Sequence, residues 1–480
     1  MLPLAALVIW LSLSVNALFT TSKSLILPPL LVGRPPGGFL KTARQNYVES
    51  PSSPPTVTSD LFAQKLDHFN TTDDRNFVQH FWHNPEFVNT SLYNGRELVF
   101  LVHGGASYES FGSVTDESWQ VVKWAKLFGA RLFRLEHRMF ERSRPFVLTA
   151  PSLEFLTTDQ AVQDAVNFAT TKAKNLGMFA PVWIVFGDSY SGKLAARMRS
   201  EYPDVFAAAV VSSGLVHTKK EFPEFSIVMD QLLRETSVVP VDEDPTPCDK
   251  WLKCLVDEIQ DYPQYLDRDA LSKTKFTASN LCNSIVNSNN GMKENIFPLY
   301  QWYASFYTFD NITGFPNDYD RFVGLLKNAS RNDADPDVGA ARWLWMACNE
   351  IGMFPVTDNK PIFKDFVTIE YYDTLCANVF GDGFPRNISD SSADYNGTNT
   401  LFVHGAQDPW RAAGHIIDDA NAVAVVEIEG MTHIGDLFAA VQEEPPERHK
   451  RSDLFVHRAS LDIHSYFEYI ETAHDVGDDE

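Results

Sequence analysis

The stretch Val182-Trp-Ile-Val-Phe-Gly-Asp-Ser-Tyr-Ser-Gly-Lys-Leu-Ala-Ala-Arg-Met-Arg-Ser-Glu-Tyr-Pro203 decides how the whole chain is read. Val182 to Phe186 is an apolar run of the kind buried on both faces of a parallel sheet. From Gly192 onward good helix formers dominate, until Pro203 stops them. Ser189 sits at the turn, with the small residues Gly187 and Ser191 on either side. A sharp strand-to-helix elbow needs small neighbours at those positions to lift a hydroxyl clear of the sheet. The free N–H groups and positive dipole end of the helix that follows favour negative charge there. The same spacing also fits an ordinary strand-to-helix turn, so the decision rests on partners elsewhere in the chain.

A serine hydroxyl is a weak nucleophile until a histidine takes its proton, and the histidine needs a carboxylate to fix its tautomer. After such an elbow the acid and base follow in the order Asp, His. Downstream, the apolar Leu401-Phe402-Val403 leads through His404-Gly405-Ala406-Gln407 to Asp408-Pro409-Trp410. Ala422 to Ile428 then leads to Gly430-Met431-Thr432-His433. Ser189, Asp408 and His433 are therefore the expected catalytic residues.

Upstream, Leu98 to Val102 is another buried run, ending at His103-Gly104-Gly105-Ala106-Ser107. Glycines at a strand's carboxyl end let backbone N–H groups approach a ligand, so Gly104 and Gly105 join the Tyr190 N–H as the expected oxyanion hole. Further strands are expected at Phe77 to Trp82, Ala130 to Leu135 and Ala207 to Val211. Helices are expected at Ser118 to Phe128 and at Asp159 to Leu176, the latter with Thr158 as N-cap. Strand and helix in alternation imply a parallel sheet wrapped on both faces. From residue 218 the periodicity becomes helical, as at Phe225 to Leu233 and Leu252 to Tyr265, with aromatics at Tyr300 to Tyr307; this reads as an inserted cap. His80 and His83 lie on opposite faces of a strand, so they are expected as surface histidines rather than a metal pair.

At 480 residues the chain exceeds what one core fills, so one large domain with an insertion, or two domains, is expected. Met1 to Ala17 reads as a signal peptide, 18–58 as a Pro/Ser-rich linker or propeptide, and 59–217 as the first part of the sheet domain. The cap takes 218–340, the second part of the sheet domain 341–470, and an acidic tail 471–480. Six Asn-x-Ser/Thr acceptors, at Asn70, Asn89, Asn311, Asn328, Asn387 and Asn396, agree with the secretory pathway. The net charge of −23 excludes a nucleic-acid partner, because phosphate binding needs clustered Lys and Arg. The expected partner is a peptide, with no membrane after signal cleavage and a homodimer kept open as the assembly. The five cysteines contain no C-x₂-C pair, so disulfides are expected and a metal site is not; no cofactor is implied.

Together these motifs resemble the serine peptidase family of lysosomal Pro-Xaa carboxypeptidase, dipeptidyl peptidase II and thymus-specific serine protease. The resemblance rests on Gln64-x-x-Asp67-His68-Phe69, Glu136-His137-Arg138, the Ser189 elbow, Ser212-Ser213, Asp408-Pro409-Trp410 and Gly430-x-x-His433-x-x-Asp436. It implies an α/β-hydrolase fold with a helical cap, exopeptidase action beside proline in the secretory pathway or lysosome, Trp410 in the substrate pocket, and a Cys348–Cys376 disulfide. Three positions depart from the family pattern: Gly104-Gly105-Ala106-Ser107 lacks the usual glutamate, Asp188 replaces a glycine, and Lys193 replaces an apolar pocket residue. Asp188 also resembles, by position, the glutamate of yeast- and wheat-type serine carboxypeptidases, which implies pairing with a substrate carboxylate. Contact with solvent or with Lys193 is the alternative for Asp188. A carboxypeptidase of that second type, an esterase, and a catalytically weak binding protein are the competing functions.

Overall fold

The computed structural model describes residues 56–236, 319–357 and 367–437, apart from 106–110, 118, 141, 145–149, 330–337, 387, 389–394, 419–422, 429–430 and 432. The signal-like segment, most of the linker, the acidic tail, the Leu252 to Tyr265 and Tyr300 to Tyr307 stretches and Cys248, Cys254 and Cys282 lie outside the described residues.

The described strands are β1 (Thr58–Lys65), β2 (Asn76–Asn84), β3 (Leu98–His103), β4 (Arg131–Leu135), β5 (Val182–Asp188), β6 (Phe206–Ser212), β7 (Lys219–Glu221), β8 (Gly352–Phe354), β9 (Thr400–Gly405) and β10 (Val423–Ile428). Eight of them form one sheet in the order β1-β2-β4-β3-β5-β6-β9-β10. The β1–β2 and β2–β4 pairs are antiparallel and every later pair is parallel. Every side chain of β3 is buried, as are Val182 to Phe186 of β5. Burying each large apolar side chain is worth roughly 1.5–3 kcal/mol, which is why these unbroken apolar runs occupy the sheet centre. The edge pair β1–β2 keeps exposed polar positions on β1, consistent with an antiparallel margin.

Both faces of the sheet are covered. Helix α1 (Gln120–Phe128) presents Val121, Val122, Trp124, Ala125 and Phe128 to Leu98, Phe100 and Val102 on one face. Helices α2 (Thr158–Asn175) and α3 (Ser189–Glu201) pack Phe168, Leu194, Ala195 and Met198 against Val99, Leu101, Trp183 and Val185 on the other. This is the α/β-hydrolase fold. The N-cap of α2 is Thr157 rather than Thr158: its hydroxyl accepts the Gln160 N–H at 3.3 Å, while Thr158 already lies in the first turn.

His80 is not a surface residue. Its ring is buried between the Ser59 hydroxyl at 2.6 Å and the Glu136 carboxylate at 3.1 Å, because β2 lies inside the sheet next to β4. His83, half-buried, stacks on Phe133 and contacts Arg131.

Beyond the main sheet, β7 and β8 pair in parallel. Helices α4 (Pro223–Thr236), α5 (Tyr319–Ala329), α6 (Val338–Met346) and α7 (Ile369–Phe380) follow. A third apolar cluster joins α5, α6 and α7 around a Cys348–Cys376 disulfide. Helix α6 runs through residues 340 and 341, sending Leu344 into that cluster and Trp345 and Met346 into the main core. It thus bridges the two layers at the place where the sequence was divided.

Candidate active site

In a parallel sheet the carboxyl ends of all strands meet at one rim. Strand register sets Asp188 beside Ser212 and Ser212 beside Val403, so the turns after β5, β6 and β9 are neighbours. Ser189 has φ 52°, in the left-handed region that non-glycine residues rarely occupy. The reason for the flanking glycine is visible in distances. A Cβ on Gly187 would lie 2.1 Å from the Ser191 carbonyl oxygen and 2.9 Å from the Gly192 nitrogen. The Ser191 hydroxyl closes the elbow by accepting the Asp188 N–H at 2.9 Å and donating to the Asp188 carbonyl at 2.8 Å. Small residues around Ser189 thus let strand and helix backbones touch.

Asp408 and His433 meet. The ring Nδ1–H donates to both carboxylate oxygens, each at 3.0 Å, with both residues buried. The Trp410 N–H also donates to Asp408 at 2.8 Å. Burial pushes the Asp408 carboxyl up, but the His433 ring and the hydrogen bonds from His433, Trp410 and Ser213 outweigh it and hold the group below its ordinary value. The two loops are fastened to each other by Ala406 N–H to Ile428 O, 2.9 Å, and Gln407 N–H to Met431 O, 3.0 Å. Ser213, at φ 47°, links them to the elbow: its hydroxyl bonds Asp408 and accepts the Ile434 N–H at 3.0 Å. Two residues further, the chain reaches Ser189 itself, the Leu215 N–H donating to the Ser189 carbonyl at 3.2 Å. Ser189 and His433 therefore border the same 213–215 turn. The Ser189 hydroxyl makes no hydrogen bond to the ring among the described residues.

The expected oxyanion donors divide. Gly104 N–H already donates to Leu135 O at 2.7 Å, because β3 and β4 end side by side, so this amide is not aimed at the rim as expected. Gly105 lies against the elbow, where an added Cβ would stand 3.7 Å from the Ser191 hydroxyl. Ala106 lies outside the described residues. The Tyr190 side chain is anchored beneath: its hydroxyl donates to His137 Nε2 at 3.1 Å, and His137 Nδ1–H donates to Arg138 O at 2.7 Å. Burial, helped by the neighbouring His103, lowers His137 to about 3, so the ring stays neutral and keeps an acceptor for Tyr190.

Trp410 is buried, stacked on Phe222 with ring centres 5.4 Å apart, edge-on to Phe225 at 4.9 Å and 6.3 Å from the His433 ring. Asp188 does not pair with Lys193. One of its carboxylate oxygens accepts the Ser191 hydroxyl at 3.3 Å. Lys193 donates instead to Val216 O at 3.4 Å and to the Thr218 hydroxyl. Burial, with Arg197 adding repulsion and Glu350 opposing it, lowers Lys193 to about 8. Asn70, Asn89 and Asn396 are exposed; Asn328 lies on α5, and Asn311 and Asn387 lie outside the described residues.

Two features escape the sequence reading. Glu350 stands on a π-helical turn, Ala347–Ile351, and accepts the Thr158 N–H at 2.8 Å and the Thr158 hydroxyl at 3.2 Å. Burial pushes it up to about 7, with Asp159 adding to the rise and Thr158 and Lys193 opposing it. The second is a buried knot behind the site: Arg138 pairs with Asp164 at 2.7 Å and donates to the carbonyls of Lys65, Leu66 and Phe155, and His68 bonds the same Asp164 at 2.7 Å. It explains why Asp67-His68 and Glu136-His137-Arg138 occur together. Among the described residues no group of three or more metal-ligating side chains converges.

Residues 64–243 and 240–454 match the serine carboxypeptidase S28 family. Human thymus-specific serine protease is 25% identical over 418 residues, covering 76% of this chain and 78% of its own. Mouse lysosomal Pro-X carboxypeptidase is 24% identical over 472 residues, covering 83% and 89%. A solved proline iminopeptidase of Mycobacterium smegmatis is 13% identical with a TM-score of 0.34, covering 81% of this chain and 97% of its own.

Proposed function

Because the chain belongs to the serine carboxypeptidase S28 family and is a serine-type peptidase, we propose that Ser189, Asp408 and His433 are its catalytic triad and that it removes residues from peptide ends beside proline. The observation that carries this reading is the Asp408–His433 pair, joined at 3.0 Å on the rim that also holds the left-handed Ser189 elbow. With Nδ1–H engaged by Asp408, His433 keeps Nε2 as the base. That nitrogen takes the Ser189 proton as the hydroxyl attacks the scissile carbonyl, and Asp408 stabilises the imidazolium that results. The oxyanion is received by the Tyr190 and Gly105 N–H groups, each such donor being worth about 3 kcal/mol of barrier. The proton then passes to the leaving amine, and water repeats the sequence on the acyl-enzyme. Hydrogen bonds between nucleophile and base commonly close only when a substrate fills the cleft, in keeping with the open Ser189–His433 contact.

Trp410, with Phe222 stacked on it and Phe225 edge-on, supplies an apolar wall suited to a proline ring. The names of the lysosomal and thymic relatives support handling through the secretory pathway, with a lysosomal or secreted destination. Labelling by a fluorophosphonate and its loss in Ser189→Ala test the nucleophile. Turnover of Ser189→Ala within tenfold of the parent protein would remove it from that role. Hydrolysis of paired prolyl and alanyl peptides tests the proline preference.

A further inference from the structure

Lys193 is a half-buried cation that, among the described residues, has no carboxylate within ion-pair distance. Its partners are the carbonyl of Val216 and the hydroxyl of Thr218, both neutral, and among the described residues no ion pair reaches it. Withdrawing an ammonium group from water without a directly paired counter-charge is expensive, and its lowered value of about 8 reflects that expense, with Arg197 adding to it and Glu350 only partly offsetting it. The nearby carboxyl, Glu350, is engaged by the N-terminal turn of α2 through Thr158 and makes no hydrogen bond to Lys193.

The position of the cation gives it a use. Lys193 lies one helical turn after Ser189 on α3, and helical side chains lean back toward the helix N-terminus, here the elbow. Val216 and Thr218 belong to the segment that leaves the Ser189 carbonyl at Leu215, and the His217 N–H donates to Ala413 O, in the short helical turn that follows Trp410. The ammonium thus sits against the segment that runs from the elbow to the turn following Trp410. Asp188, the other charged residue at the elbow, is held by the Ser191 hydroxyl.

We propose that Lys193 is a specificity residue whose ammonium group receives a carboxylate of the bound peptide, one turn below the Ser189 hydroxyl. The carboxylate comes from an Asp or Glu side chain or from the C-terminus of the peptide. The proposal rests on the cleft being the peptidase site, and its test is built to fail separately from that reading.

Binding is measured by calorimetry on Ser189→Ala protein, so that turnover plays no part. The probes are alanine-based pentapeptides with Glu, Gln or Pro at the centre, each with a free and an amidated C-terminus. At about pH 6, where the ammonium is charged, either Glu binds at least about tenfold more tightly than Gln or the free end at least about tenfold more tightly than the amide. The first outcome identifies a side-chain acid and the second a chain terminus. Adding Lys193→Met or Lys193→Gln erases the preference and Lys193→Arg retains it; the Gln variant keeps a donor for Thr218 should Met disturb the fold. Less than about twofold discrimination in both arms, or a preference that survives both neutral variants, overturns the proposal. Fluorophosphonate labelling of protein with Ser189 intact reports separately on the nucleophile: its absence strikes the triad and leaves the binding result standing.

Discussion

Glu350 couples the fold to pH in a way that can be worked out from its surroundings. Its carboxyl ordinarily titrates near 4.5 and in the folded chain is pushed up to about 7 by burial. A raised value means that the folded state holds a proton the unfolded chain has already released. Its stabilisation is complete below about pH 4.5, declines from there, and is gone above about pH 7. The difference of about 2.5 units corresponds to about 3 kcal/mol of stability lost on going from pH 4.5 to pH 8. In Glu350→Gln the amide oxygen still accepts the Thr158 N–H and carries no charge at any pH. The variant is therefore expected to gain on the parent protein as pH rises, by about 3 kcal/mol between those limits. Urea midpoints of both proteins at intervals across that range supply the measurement. A difference between the two curves that stays flat with pH would refute the assignment of a buried, proton-holding carboxyl at this position.

Two further outcomes follow from distances already given. Gly187→Ala drives a methyl group to 2.1 Å from the Ser191 carbonyl, against backbone that cannot swing aside. It should lower stability by at least about 3 kcal/mol in thermal unfolding and abolish fluorophosphonate labelling, whereas a labelled, stable variant contradicts the elbow packing. Replacing Cys348 and Cys376 together by serine opens a link spanning 28 residues inside an apolar cluster. A loss of roughly 3–4 kcal/mol is expected from chain entropy, read as a shift of the urea midpoint; no shift would mean that the bond contributes nothing to stability.

The centre of the sheet was legible because its strands are apolar on both faces, whereas β1, whose side chains are mostly exposed, was not expected as a strand. Leu98–His103 and Val182–Asp188 announce themselves in a way that no single propensity could, and the strands that were expected are observed within a residue or two of their expected ends. Helix boundaries read well where a capping residue marks them, although the expected cap at Thr158 proved to be its neighbour Thr157. Contacts between distant segments were a different matter. Glu350 gains its character from a π-helical turn that sets it against the start of a helix 192 residues earlier, and neither the turn nor the meeting has a local signature. The same holds for His80, whose alternation was read correctly but whose neighbours on β1 and after β4 could not be. Gly104 looked like a free amide because its sequence says glycine and strand end; the acceptor at Leu135 belongs to the adjoining strand.

The left-handed backbone at Ser189, Ser213 and Ile434 places three tight bends around one short length of rim. Main-chain geometry of this kind is indifferent to which side chains come and go on the layer above. Side chains such as Lys193 or Trp410 can therefore be exchanged in that layer while the main chain at residue 189 keeps its bend.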